Sequence, residues 1–126
     1  AGFSTVTPIQ KINQNYTQIN VQHQLSDEHS ILNAYRQLIQ LRRESIYKDT
    51  LIYGSFELVR ASHPDVFAFE RKGQQRILVI ANFRAKTCPF RIKGQVKRVV
   101  YSNHQRQNYQ AQTLQPFEAI ILELEP

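Results

Sequence analysis

At 126 residues, with 41% hydrophobic and 21% charged residues, the chain has the length of one domain and a globular balance rather than a disordered one. No run nears the roughly 18 apolar residues that a membrane helix needs, so a soluble protein with no membrane partner is expected. The net charge of +6 raises nucleic acid as a partner, but the cations are dispersed from Arg36 to Arg98 rather than gathered on one face.

The chain opens on a stretch with almost no charge and no helical or alternating period, Ala1 to Gln24, rich in Asn, Gln and Thr. It has no basic n-region and no apolar stretch, so it reads as neither a signal nor a transit peptide. Yet Phe3, Ile9, Ile12, Tyr16, Ile19 and Val21 are more apolar groups than a disordered tail carries. An ordered loop is expected here.

From Ser26 to Ser45 the pattern predicts the one strong helix. Asp27 or Ser26 would cap it, and Glu28 suits the positive end of its dipole. Ile31, Leu32, Tyr35, Leu38 and Ile39 form one apolar stripe, with Arg42, Arg43 and Lys48 toward the C-terminal end. Such a stripe needs a partner surface, either a sheet or something outside this chain.

From Leu51 the period becomes extended. Residues 51–60 read as a strand broken at Gly54. Residues 65–72 alternate Val66, Ala68 and Glu70 against Phe67, Phe69 and Arg71. Lys72-Gly73-Gln74 is a tight turn, and the near-continuous apolar run 75–83 predicts a central strand buried on both faces. Further short strands are expected over 87–94, 96–103 and 115–125, with 104–112 as an exposed loop. Short strands separated by Gly, Pro, Asn and Asp predict an antiparallel sandwich or barrel.

Little in the residues offers chemistry. Asp27 and Glu28 belong to the helix start, Glu44 lies near the helix's basic turn, and Asp49 and Asp65 sit in turns. Glu57 and Glu70 are expected as outward, solvated strand residues. Glu118, between Phe117 and the apolar run from Ala119, draws most interest, and a structural hydrogen bond is the expected role. His23, His29, His63 and His104 lack zinc-site spacing. The single cysteine, Cys88, has no companion ligand; it excludes an intrachain disulfide and fits a reducing compartment, the cytoplasm. With four scattered glycines there is no phosphate loop. No catalytic residue, metal ligand or cofactor is predicted, and no substrate-binding residue is assigned.

A series of motifs nevertheless runs through the chain: Ala1-Gly2-Phe3-Ser4, Thr7-Pro8-Ile9, Ile12-Asn13-Gln14-Asn15-Tyr16 and Ile19-Asn20-Val21. Asp27-Glu28-His29-Ser30, Leu38-Ile39-Gln40-Leu41-Arg42 and Tyr53-Gly54-Ser55-Phe56 follow. Val66-Phe67-Ala68-Phe69, Ile77 to Phe83 and Leu114-Gln115-Pro116-Phe117-Glu118-Ala119 complete it. In this order the series resembles the C-terminal end of the family 13 α-glucosidases, above all the oligo-1,6-glucosidases and trehalose-6-phosphate hydrolases. Ile9 stands where that family usually has Trp, and Gln14 and Glu28 replace prolines.

The resemblance implies a mainly β, antiparallel Greek-key sandwich, the C-terminal domain of an α-amylase-type enzyme. Residues 1–48 would be the loop after strand 8 and the last helix of a (β/α)₈ barrel, and 49–126 the β domain. The family's catalytic carboxylates map onto no residue here, because they lie on upstream barrel strands. The chain is therefore expected to be a non-catalytic C-terminal fragment. Its parent would be a retaining glycosidase that cleaves α-glucosidic bonds in short oligosaccharides or trehalose 6-phosphate. Its partner would be the missing barrel, with self-association through the exposed helix stripe in the barrel's absence. Two other readings are a free-standing carbohydrate-binding sandwich, with Tyr101 and Tyr109 as its candidate sugar platforms, and a basic nucleic-acid-binding module.

Overall fold

The computed structural model describes residues 5–61 and 63–126, so the Ala1-Gly2-Phe3-Ser4 motif and Ser62 lie outside the described residues. The chain divides into two compact units, Ala1–Gln40 and Leu41–Pro126.

In the first unit the asparagines explain why the opening stretch shows no period. Asn13 accepts a hydrogen bond from Asn15 N at 3.2 Å and opens a 3₁₀ turn, Gln14–Thr17. Asn20 accepts from His23 N at 3.0 Å and opens helix α1, Val21–Ser26, while its own amide donates back to Tyr16 O at 3.1 Å. Each satisfies a backbone donor that a helix start leaves unpaired. Helix α2 spans Ile31–Glu44 and starts later than the sequence pattern suggests. Ser26 and Asp27 are consumed by the end of α1, so neither is its cap. Ser30 takes that role, accepting from Asn33 N at 3.2 Å, and the Gln24 side chain accepts from Leu32 N at 2.9 Å. Ile31, Tyr35, Leu38 and Ile39 are exposed and Leu32 is half-buried.

The second unit begins with the end of α2 and continues through helix α3, Lys48–Tyr53. Here the structure corrects the expected strand over 51–60: Leu51, Ile52 and Tyr53 are helical, and strand β1 is only Ser55–Leu58. The helix is held from a distance. Arg71 donates to Leu51 O and Ile52 O, and Arg42 donates to Leu51 O at 2.7 Å, so cations satisfy the last carbonyls. Buried Thr50 donates to Gln75 Oε1 at 2.5 Å. Gly54 closes the helix, its N–H reaching Thr50 O at 3.0 Å. A Cβ at Gly54 would press into the Thr50 carbonyl and lie 2.8 Å from Lys72 O. Gly54→Ala is therefore expected to destabilise the chain by about 1–3 kcal/mol, as overpacking against backbone does. Urea unfolding checks it; an unchanged midpoint would contradict the close approach.

The remaining strands are β2 (Val66–Lys72), β3 (Arg76–Asn82), β4 (Cys88–Pro89), β5 (Val96–Ser102), β6 (Thr113–Leu114) and β7 (Ala119–Leu124). A five-stranded antiparallel sheet runs β1-β2-β3-β7-β5, and β4 and β6 pair as a separate two-stranded ribbon. The first three strands form a meander. The chain then leaves the sheet, returns as its far edge β5, and inserts β7 between β3 and β5. The fold is thus the expected mainly β antiparallel class, with the second layer of the sandwich reduced to a ribbon.

The core follows from the alternation of β2. Val66 and Ala68 point to one face with Leu78, Ile80, Ile120, Leu122 and Leu124, against Cys88, Phe90, Tyr109 and Leu114. Cys88 is a buried, packed thiol. The opposite face carries a second cluster, Ile77 and Ile121 under Tyr47, with Leu41, Leu51 and Val79 beside them. β3 and β7 are central strands and contribute to both clusters, which is why their sequences read as apolar without a period.

Candidate functional site

Three buried carboxylates are the most chemically loaded positions, and all are built into structure. Glu118 is 0% exposed. Arg106 Nη1 donates to its Oε1 at 3.2 Å and Oε2 at 3.0 Å, and Gln115 N donates to Oε2 at 2.6 Å. Arg106 also donates to Thr113 O at 2.6 Å and lies over the Tyr109 ring, 4.9 Å from its centroid. Gln105, Gln112 and Phe117, at φ of 56°, 50° and 52°, take the left-handed conformation next to these residues. Local strain of this kind persists only where surrounding contacts over-determine it. The role expected for Glu118, a structural hydrogen bond, is what the geometry displays. Its cation, Arg106, lies in the segment whose composition predicts an exposed loop, where no local pattern singles it out.

Glu123 is buried at the base of β7. It accepts from Tyr47 OH at 2.8 Å and Lys97 Nζ at 2.8 Å, with Arg98 Nε at 3.0 Å. Burial works against its charge, but Lys97, Tyr47 and Arg98 outweigh this and hold its carboxyl below the usual range. Burial and the Glu123 carboxylate push the Tyr47 phenol up. Glu70 corrects the sequence reading: it is buried, not solvated, and takes a bidentate grip from Arg76 at 2.9 Å and 2.9 Å. The bonds from Arg76 hold its carboxyl below the usual carboxylate range against the opposing cost of burial.

These directions set the pH dependence. Glu70 and Glu123 bind protons less readily folded than unfolded, so their stabilisation is complete above the ordinary carboxylate value of 4.5. It is lost as pH falls through their lower folded values. Tyr47 has the opposite sign: its contribution is complete below 10.0 and lost as pH rises through its higher folded value. The unfolding midpoint should therefore be level between about pH 5 and 9 and fall on both sides; the Glu70→Gln/Glu123→Gln variant should show a shallower acid limb. An acid limb of unchanged slope would contradict the assignment.

The other candidates stay apart. Glu57 is exposed and pairs with Lys72. His63 and Asp65 make a local pair at 3.6 Å. His23 Nδ1 lies 2.9 Å from Gln18 O, and His104 Nε2 lies 3.0 Å from Pro116 O. No three His, Cys, Asp or Glu side chains among the described residues group as a metal site. Tyr109, read as a sugar platform, is 2% exposed and donates its hydroxyl to Phe90 O at 3.1 Å, and Tyr101 is half-buried. The buried Tyr109 ring therefore offers no face to a sugar. A cleft of about 520 Å³ gathers Lys72, Arg76, Lys97 and Arg98, but each is already paired with Glu57, Glu70 or Glu123. No helix among the described residues is long and apolar enough to cross a membrane.

Among the described residues, the buried carboxylates Glu70, Glu118 and Glu123 are each paired with a cation. The model of the α-amylase catalytic domain matches residues 1–54. The chain is 34% identical to an oligo-1,6-glucosidase of Bacillus cereus over 98% of its own length and 23% of that protein's. It is 32% identical to the trehalose-6-phosphate hydrolase of Bacillus subtilis, again over 98% and 23%. Among solved structures, isomaltulose synthase from Klebsiella sp. LX3 superposes with a TM-score of 0.85 at 28% identity, over 98% of this chain and 23% of that one. Its homologues are enzymes of the α-amylase family, glycoside hydrolase family 13. Within it, this chain is similar to the C-terminal part of oligo-1,6-glucosidases and trehalose-6-phosphate hydrolase, and it spans about a quarter of the length of such relatives.

Proposed function

We propose that this chain is the non-catalytic C-terminal part of an α-glucosidase-type glycoside hydrolase. Residues 1–48 close the catalytic barrel and 49–126 form the terminal β domain. The parent, a cytoplasmic enzyme, hydrolyses α-glucosidic bonds in short oligosaccharides or trehalose 6-phosphate with retention, through a nucleophile and an acid/base carboxylate supplied by the barrel. The observation that carries this reading is the coverage: 98% of this chain aligns with 23% of its relatives. The ion-paired burial of Glu70, Glu118 and Glu123 supports it, since a general acid must reach substrate and change protonation. Reading the gene upstream of the Ala1 codon, with the intact mass of the natural protein, tests the proposal. A continuous frame encoding a barrel is expected; a natural protein of 14.8 kDa would overturn it.

A further inference from the structure

Charge is unevenly spread over the β unit. Between Arg71 and Phe117 the chain has no Asp or Glu. Arg76, Lys97, Arg98 and Arg106 find their carboxylates just outside this stretch, in Glu70, Glu118 and Glu123. Among the described residues no carboxylate pairs with the cations that flank β4, Arg84, Lys86, Arg91 and Lys93. Two extended segments close the main core on the side of this ribbon. Val59 and Ala61 pack on the core from one, and Phe90 and Ile92 from the other. Side chains along extended backbone alternate in direction, so Arg60 and Arg91, the residues between, project outward, and both are exposed.

The two arginines share one cleft of about 320 Å³, whose other lining residues are Pro89 and Phe90. Among the described residues neither guanidinium has an ion-pair or hydrogen-bond partner. Glu57 and Asp65, the carboxylates nearest to Arg60 along the chain, are taken by Lys72 and His63. Two like charges in one cleft repel, and an anion between them removes that cost. A carboxylate has two oxygens, which one guanidinium fork satisfies. A phosphoryl group has three terminal oxygens and nearly two charges, enough for both forks. We propose that the Arg60–Arg91 cleft binds the phosphoryl group of a small organic phosphate monoester, with Pro89 and Phe90 against the ester's carbon skeleton. The site is independent of the glycosidase reading, since every residue that forms it lies in the β unit.

Calorimetric titration of the full-length natural protein with phenyl phosphate tests the site, at fixed ionic strength and a pH well above the second phosphate pKa of about 6. The Arg60→Gln/Arg91→Gln variant should bind at least about tenfold more weakly, as expected when charge-assisted bonds from two guanidiniums are lost. Phenyl sulfate, of the same shape but with one charge, should bind the natural protein more weakly than phenyl phosphate does. Arginine labelling with phenylglyoxal, read by mass spectrometry, checks the same site without a substitution. Phenyl phosphate at about ten times its Kd should slow labelling of Arg60 and Arg91 about tenfold. Equal affinity in the natural protein and the double variant, or labelling of the two arginines that phenyl phosphate does not slow, would overturn the proposal. Equal protection by phenyl sulfate would overturn it too, because the cleft would then take any anion rather than a phosphoryl group. The existence of the parent enzyme is read separately, from the gene and the intact mass.

Discussion

Arg106→Ala should cost about 3–5 kcal/mol of stability, the usual penalty for stripping one partner from a buried ion pair. Glu118 is fully buried, and Arg106 is the cation that reaches both of its oxygens. Without Arg106 the carboxylate keeps Gln115 N as a donor but no counter-charge. Thr113 O loses a donor as well. For a domain whose total stability is about 5–15 kcal/mol, this is a large fraction. The double variant Arg106→Met/Glu118→Leu should be more stable than Arg106→Ala, because it removes the buried charge together with its partner. Urea unfolding of both variants measures the difference. A cost below about 1 kcal/mol for Arg106→Ala, or a double variant no better than the single, would show that the pair does not hold the 105–118 turn.

The second large effect distinguishes the two faces of the sheet. Ile80 is 0% exposed and pairs in register with Ala68 and Ile120 inside the main core. Ile80→Ala should cost about 2–5 kcal/mol, combining lost transfer energy with a cavity. Phe67 is a larger side chain on the neighbouring strand, yet it lies on the opposite face. In the 126-residue chain Phe67→Ala should cost only about 1 kcal/mol, because about half of its surface stays in water after folding. Comparable costs for the two substitutions would mean that Phe67 is already buried in this chain.

Sequence patterns carried the β unit well and its connections poorly. The alternation of residues 65–72 gave the correct faces for Val66, Ala68, Phe67 and Phe69, and the apolar run from Ile77 indicated a central strand. Helix α3 was hidden because Leu-Ile-Tyr favours strands locally, while its carbonyls are satisfied by Arg71 from a later strand. Glu70 looked solvated for a similar reason: nothing local shows that Arg76, across the β2–β3 turn, will hold it with two bonds. In the turn-like segment 104–112 Tyr109 reads as an exposed sugar platform and Arg106 does not stand out, although the buried ring and the guanidinium over it anchor that segment. A lone aromatic and a lone cation amid Gln and Asn were the available signal. The asparagine caps at Asn13 and Asn20 were legible in principle, but each precedes a helix too short to show an apolar stripe.

On the proposed function, this chain supports a glycosidase without performing its chemistry. The most direct measurement is hydrolysis of a chromogenic α-glucoside by the purified 126-residue chain and by the full-length natural protein, side by side. The account predicts turnover by the full-length protein and none above background by the chain. Turnover by the chain itself, abolished by Asp65→Asn at its exposed carboxylate or by Glu118→Gln at its buried one, would contradict it.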